Sequence, residues 1–216
     1  MPILTIYSHK GGQGVTTIAA ALATLTANAG HRTLIIDTGT DQVAVHGITT
    51  DKWAALGDYL TTTAVTLDDI TTNIGDRLDL IETGDTPITF DTLTYGLFTG
   101  GLGHYDTVII DTTPAAQPWT RPADARILVT RPCHLSLRHA TGQRRPDHVV
   151  VITEPGRSLD TGDIEAVTGT AISAIIGHDP HIARAVNAGT LTSRLPRSLA
   201  RALAPLAAAI TAGATR

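Results

Sequence analysis

The residues best suited to chemistry stand near the start of this 216-residue chain, in Ser8-His9-Lys10-Gly11-Gly12-Gln13-Gly14-Val15-Thr16-Thr17. Gly11, Gly12 and Gly14 let backbone N–H groups approach an anion that side chains would otherwise hold away. An apolar, β-branched run at 3–7 precedes them and an Ala/Leu-rich stretch at 16–29 follows. That order reads as strand, loop and helix, and it puts the loop at a helix N-terminus, where negative charge is favoured. Thr16 is placed to offer its hydroxyl to a Mg²⁺ ion accompanying phosphates. Residues 10–17 are therefore the candidate phosphate-binding set, and a plain glycine turn is the alternative.

The elements that must hold this loop follow from the rest of the pattern. The first helix stops at Gly30, and a second apolar run at 33–36 ends in Asp37 with a polar, glycine-bearing loop behind it. A parallel βαβ unit explains that order. Further strands are expected at 78–81, 107–110, 127–130, 149–152 and 172–176, alternating with connectors. The expectation is one α/β domain over 1–216, a mainly parallel twisted sheet with helices on both faces and ligands at the carboxyl ends of the strands. In the tail, Leu199, Leu203, Leu206 and Ile210 recur at helical spacing, with Pro205 interrupting, which predicts a docked terminal helix; an amphipathic membrane anchor is the alternative.

These motifs resemble the ParA/MinD family of P-loop ATPases, whose variant phosphate loop reads Lys-Gly-Gly-x-Gly-Lys-Thr-Thr where this chain has KGGQGVTT. The resemblance implies that Lys10 is the signature lysine, reaching across a nucleotide sandwich dimer to the partner's phosphates. Only Lys10 and Lys52 are lysines among 16 basic residues, which supports a specific role for Lys10. Residues 34–42 are similar to the family's Asp-x-Asp-Pro-Gln strand and first switch, and 105–112 to its Walker B strand. The segments 175–180 and 184–189 resemble its Gly-x-Ile-Pro region and following helix. The resemblance makes Lys10, Asp37 and Asp41 the catalytic candidates, and Thr16, Asp37 and Asp111 the Mg²⁺ candidates, partly through water.

Two departures bear on turnover. Val15 stands in place of the ordinary P-loop lysine, and an isopropyl group cannot follow developing phosphate charge. Gly39 replaces the second aspartate, which in the family positions the attacking water; Asp41 substitutes only if the loop shifts. Hydrolysis is therefore expected to be weak or lost while Mg-ATP binding remains possible. Lys10 swinging into its own subunit's site is a second way to supply the missing charge. The strand ending Thr153-Glu154-Pro155 lacks the asparagine that relatives place there, so base preference stays open.

Composition bounds the rest. Hydrophobic residues make up 42%, charged residues 17%, and mean hydropathy is +0.10, which excludes a disordered chain. No run approaches 18 apolar residues and no signal-peptide pattern opens the chain, so a cytoplasmic location is expected, with nucleoid association open, and a membrane partner is not. The lone Cys133 excludes an internal disulfide and is expected to be buried. Residues 1–111 carry 4 Lys+Arg against 13 Asp+Glu, whereas residues 112–216 carry 12 against 7. From Pro180 onward there are five arginines, Arg216 among them, and no carboxylate.

The resemblance implies a homodimer, a centromere-binding or adaptor protein, and sequence-independent DNA binding by Arg184, Arg194, Arg197 and Arg201, for which a solvated helical face is the bland alternative. A nucleotide-independent scaffold or regulatory module is the rival from another class. Histidine metal sites lack a third ligand, Gly-x-Ser-x-Gly is absent, and the glycine spacing does not fit a dinucleotide fingerprint. His9 adjoins the loop and either donates to a phosphate or points away. Trp53 and Trp119 form no stacking platform; Trp53 is expected in the core, with a subunit contact as the alternative.

Overall fold

A computed structural model describes residues 1–86, 96, 99–112 and 123–213. Trp119 and Arg216 lie outside the described residues. The strands are β1 (Ile3–Tyr7), β2 (Thr33–Asp37), β3 (Thr71–Gly75), β4 (Leu78–Glu82), β5 (Thr107–Asp111), β6 (Ala125–Thr130), β7 (His148–Ile152) and β8 (Ile172–Ile176). They form one sheet in the order β3-β4-β2-β5-β1-β6-β7-β8. All neighbours run parallel except β3 against β4. The seven parallel strands are the seven apolar runs of the sequence.

The described helices are α1 (Val15–Asn28), α2 (Gln42–His46), α3 (Leu56–Thr61), α4 (Leu67–Ile70), α5 (His134–Ala140), α6 (Thr161–Thr168), α7 (Pro180–Asn187) and α8 (Arg197–Gly213). Alternate residues of the central strands feed opposite faces, as a period of two requires. Leu4, Ile6, Ile35, Ile109 and Ile127 pack with α1 and α8, whereas Ile3, Leu34, Ile36, Val108 and Ile110 pack with Leu56, Ile70, Leu102 and Tyr105. Every residue of β1, β2 and β5 is buried, the pattern of strands covered on both faces.

The terminal helix docks as expected, with Leu199, Leu203, Leu206 and Ile210 in the core beside α1. It runs through Pro205 rather than stopping there. The ring leaves the Arg201 carbonyl without its usual donor, but Arg201 and Pro205 are both exposed, so water can satisfy it. Two expectations are corrected. Trp53 is 69% exposed rather than in the core, and its indole meets the Asp69 carboxylate. Cys133 is only half-buried, because it precedes α5 as its N-cap instead of lying on a strand.

The register fixes the site. Asp37 lies beside Asp111 on neighbouring strands, and Ile6 lies beside Asp111 on the other side. The carboxyl ends of β1, β2 and β5 therefore lie together on one side of the sheet.

Candidate phosphate-binding site

The loop between β1 and α1 is shaped by its own backbone. Gly14 caps α1 at φ 95°, and a Cβ there would stand 2.6 Å from Ile152 Cδ1, so any side chain would strain the backbone and push that methyl aside. Added Cβ atoms at Gly11 and Gly12 would meet nothing within 4 Å, because that side faces open space. The Ser8 hydroxyl donates to the Lys10 carbonyl at 2.7 Å. Buried Gln13 accepts the Arg131 backbone N–H at 2.9 Å, so its side chain ties the loop to the end of β6. No side chain caps the start of α1, which leaves first-turn N–H groups for an anion.

A carboxylate cluster faces the loop. Asp111 is 3% exposed and takes bonds from the Thr16 hydroxyl and, at 2.8 Å, from Gln42 Nε2. Gln42 Nε2 also donates to the Thr16 carbonyl at 3.1 Å, joining the second loop to the first. Burial, and then the neighbouring Asp37, push the Asp111 carboxyl up to about 7. Asp37 is fully buried; its Oδ1 accepts the N–H groups of Gly39 and Thr40, and its Oδ2 that of Gln42. Burial raises its pKa as well, against those three bonds. Asp37 thus moulds the 38–42 turn, in which Thr40 adopts φ 68°, an uncommon conformation for a β-branched residue.

Neither carboxylate is in an ion pair among the described residues. The Thr16 hydroxyl and the Asp111 carboxylate are oxygen donors that fit Mg²⁺ held partly through water, whereas the expected Asp37 ligand has both oxygens engaged by N–H groups of the turn.

Between loop and carboxylates lies a cavity of about 610 Å³, lined by residues 11–17 together with Gly39, Asp41, Asp111, Arg131 and Asn187. An adjoining cavity of about 290 Å³ lies where β7 and β8 end, walled by Ile152, Glu154, Gly177 and Ile182 and sharing Gly14, Thr17, Arg131 and Asn187 with the first.

The structure brings most of the sequence candidates together. Residues 11–17, Asp111 and exposed Asp41 line the larger cavity, while Asp37 acts from behind the turn. Val15 is buried, belongs to the core cluster packed around α1 and is also among the residues that line the cavity. Lys10 is half-buried and does not line the cavity; it lies close enough to Cys133 to lower that thiol's pKa, after the backbone N–H groups of α5. His9 stacks edge-on against Tyr7 and is also outside the lining. Arg184, Arg194, Arg197 and Arg201 are all exposed, on α7, the following loop and α8, and the four-residue spacing of Arg197 and Arg201 puts them on one helix face.

Sequence reasoning missed the roles of Gln42, Arg131 and Asn187. Gln42 and Asn187 lay inside recognised segments, but only tertiary contact reveals what they touch.

A glycine loop between first strand and first helix, a magnesium-compatible hydroxyl against a buried carboxylate, and a parallel sheet delivering both define a P-loop nucleotide-binding domain. Within that class the chain belongs to the CobQ/CobB/MinD/ParA nucleotide-binding domain family, whose model matches residues 4–193. No curated protein matches the sequence significantly.

Solved structures share the fold. The MinD cell division protein of Aquifex aeolicus, in its MinC:MinD complex, superposes with a TM-score of 0.82 at 22% identity, covering 98% of this chain and 96% of that one. A ParA family ATPase of Chlorobium tepidum gives 0.73 at 21% identity, covering 100% and 98%. A plasmid partition protein of Borrelia burgdorferi bound to AMPPNP gives 0.69 at 19% identity, covering 98% of each chain. The expected family and fold are borne out.

Proposed function

We propose that this chain is a ParA-like positioning protein that binds Mg-ATP, pairs with a second copy across its phosphate loops, and binds DNA without reading its sequence. Its cargo is plasmid or chromosome DNA, joined through a centromere-binding or adaptor protein. The observation that carries the nucleotide reading is the cavity in which loop N–H groups face Thr16 and Asp111. The AMPPNP-bound partition protein of the same fold supports it.

Hydrolysis is weak or absent on this reading, because Val15 and Gly39 remove a phosphate cation and a water-positioning carboxylate. Lys10 lies outside the cavity, which favours a role across the dimer over one in its own site. A nucleotide-independent scaffold is the second reading, favoured by the same two departures. Against it stand Gln42, Thr16 and Asp111, whose mutual bonds have a purpose when a metal–nucleotide sits beside them.

DNA binding is tested by titrating a random-sequence duplex, with and without Mg-ATP, across a range of salt. Affinity should fall steeply with salt and rise with nucleotide, and replacing Arg197 and Arg201 by Ala should lower the log–log salt slope by about 2. Salt-insensitive binding, or an unchanged slope in the double variant, would refute the assignment.

A further inference from the structure

We infer that Arg131 supplies to the phosphate chain the positive charge that Val15 cannot, and that Glu154 holds the Arg131 guanidinium until nucleotide displaces it. The inference rests on the nucleotide-binding reading and names a residue that would carry it.

Arg131 is the single basic side chain among the described residues lining the larger cavity, whose other charged groups are Asp41 and Asp111. Its position is fixed relative to the loop, since it directly follows β6 and its backbone N–H donates to Gln13 Oε1 at 2.9 Å. Arg131 lines both cavities, so it stands where the two adjoin. One guanidinium nitrogen pairs with Glu154 Oε1, while Nε is shielded from solvent with no acceptor among the described residues. A guanidinium carries five N–H donors in a planar fork matched to phosphate oxygens, so this one has donors to spare. A buried N–H without an acceptor is costly, and a phosphate oxygen in the cavity would relieve it.

The counterion is arranged to let go. Glu154 also pairs with Arg157, whose Nε donates to Oε2 at 2.8 Å. Glu154 therefore keeps a cationic partner when Arg131 turns toward a phosphate, and the exchange leaves no carboxylate unpaired. Lys10, the other cation near the loop, is outside the cavity lining and leaves this role open.

The test is calorimetric titration of the full chain and its variants with Mg-ATP and, by competition, with inorganic triphosphate, which has no base. Arg131→Met should weaken both by about 10-fold or more, the loss expected for one charge-assisted hydrogen bond. Glu154→Gln should tighten both, because it frees the guanidinium. Val15→Lys added to Arg131→Met should restore affinity.

A purely structural ion pair would make Arg131→Met and Glu154→Gln weaken binding alike, and that result overturns the inference. So does wild-type affinity in Arg131→Met, or a loss confined to ATP, which would assign the contact to the base. If Arg131→Met does not fold, the sign of the Glu154→Gln effect decides alone. A wild-type chain that binds no nucleotide removes the functional reading as well, whereas wild-type binding with an indifferent Arg131 removes this inference only.

Discussion

On the proposed reading, Val15 and Gly39 stand where turnover calls for a phosphate cation and a water-positioning carboxylate, and neither residue can carry charge. The first lies buried at the opening of α1, beside the cavity; the second sits in a turn, its backbone N–H held by Asp37. Each missing group is of the kind whose removal elsewhere costs about 10²- to 10³-fold in rate. Restoring both with Val15→Lys and Gly39→Asp should raise steady phosphate release by at least about 100-fold over the wild type, with each single substitution falling well short because such groups act as a unit. A phosphate-release assay that finds wild type and double variant equally active would show that these positions do not limit turnover. The loop and Walker B residues were legible because glycines and a terminal aspartate carry their role in their type. Gln42 and Arg131 were not, since a glutamine or arginine acquires its role from what the fold places opposite it.

The short helix α2 connects the second loop to the rest of the domain. Gly47, just after it, meets Gly189 after α7 so closely that a Cβ on Gly47 would lie 2.2 Å from the Gly189 carbonyl oxygen. Beside this contact His46 is 7% exposed, with Nδ1 bonded to the Thr192 hydroxyl and Nε2 without a partner among the described residues. Burial lowers its pKa from 6.5 to about 4. The unfolded chain takes up a proton below pH 6.5, whereas the folded chain resists until about 4, so stability held above that window is lost as pH falls through it. The effect is about 3 kcal/mol in all. His46→Gln should abolish this part of the acid sensitivity, and urea melts between pH 7.5 and 4.5 should show the two proteins converging as pH falls. Parallel curves would mean that His46 titrates normally. Among the strands, β3 escaped the sequence reading because Thr-Thr-Asn-Ile-Gly at a sheet edge offers one large apolar residue and no buried face.

At the scale of the whole molecule the parallel sheet was readable because both faces of its central strands are covered, which writes continuous apolar runs into them. The exposed position of Trp53 was not readable, since an aromatic side chain in sequence does not say which surface it joins. The described helices include none long and apolar enough to cross a membrane. On the proposed reading, a nucleotide cradle has outlived its hydrolytic groups, in a fold shared with solved structures named for cell division and plasmid partition. Calorimetric titration of the wild-type chain with Mg-ATP tests that claim most directly. Micromolar binding without sustained phosphate release is the predicted result, and no binding heat at any of several temperatures would contradict it.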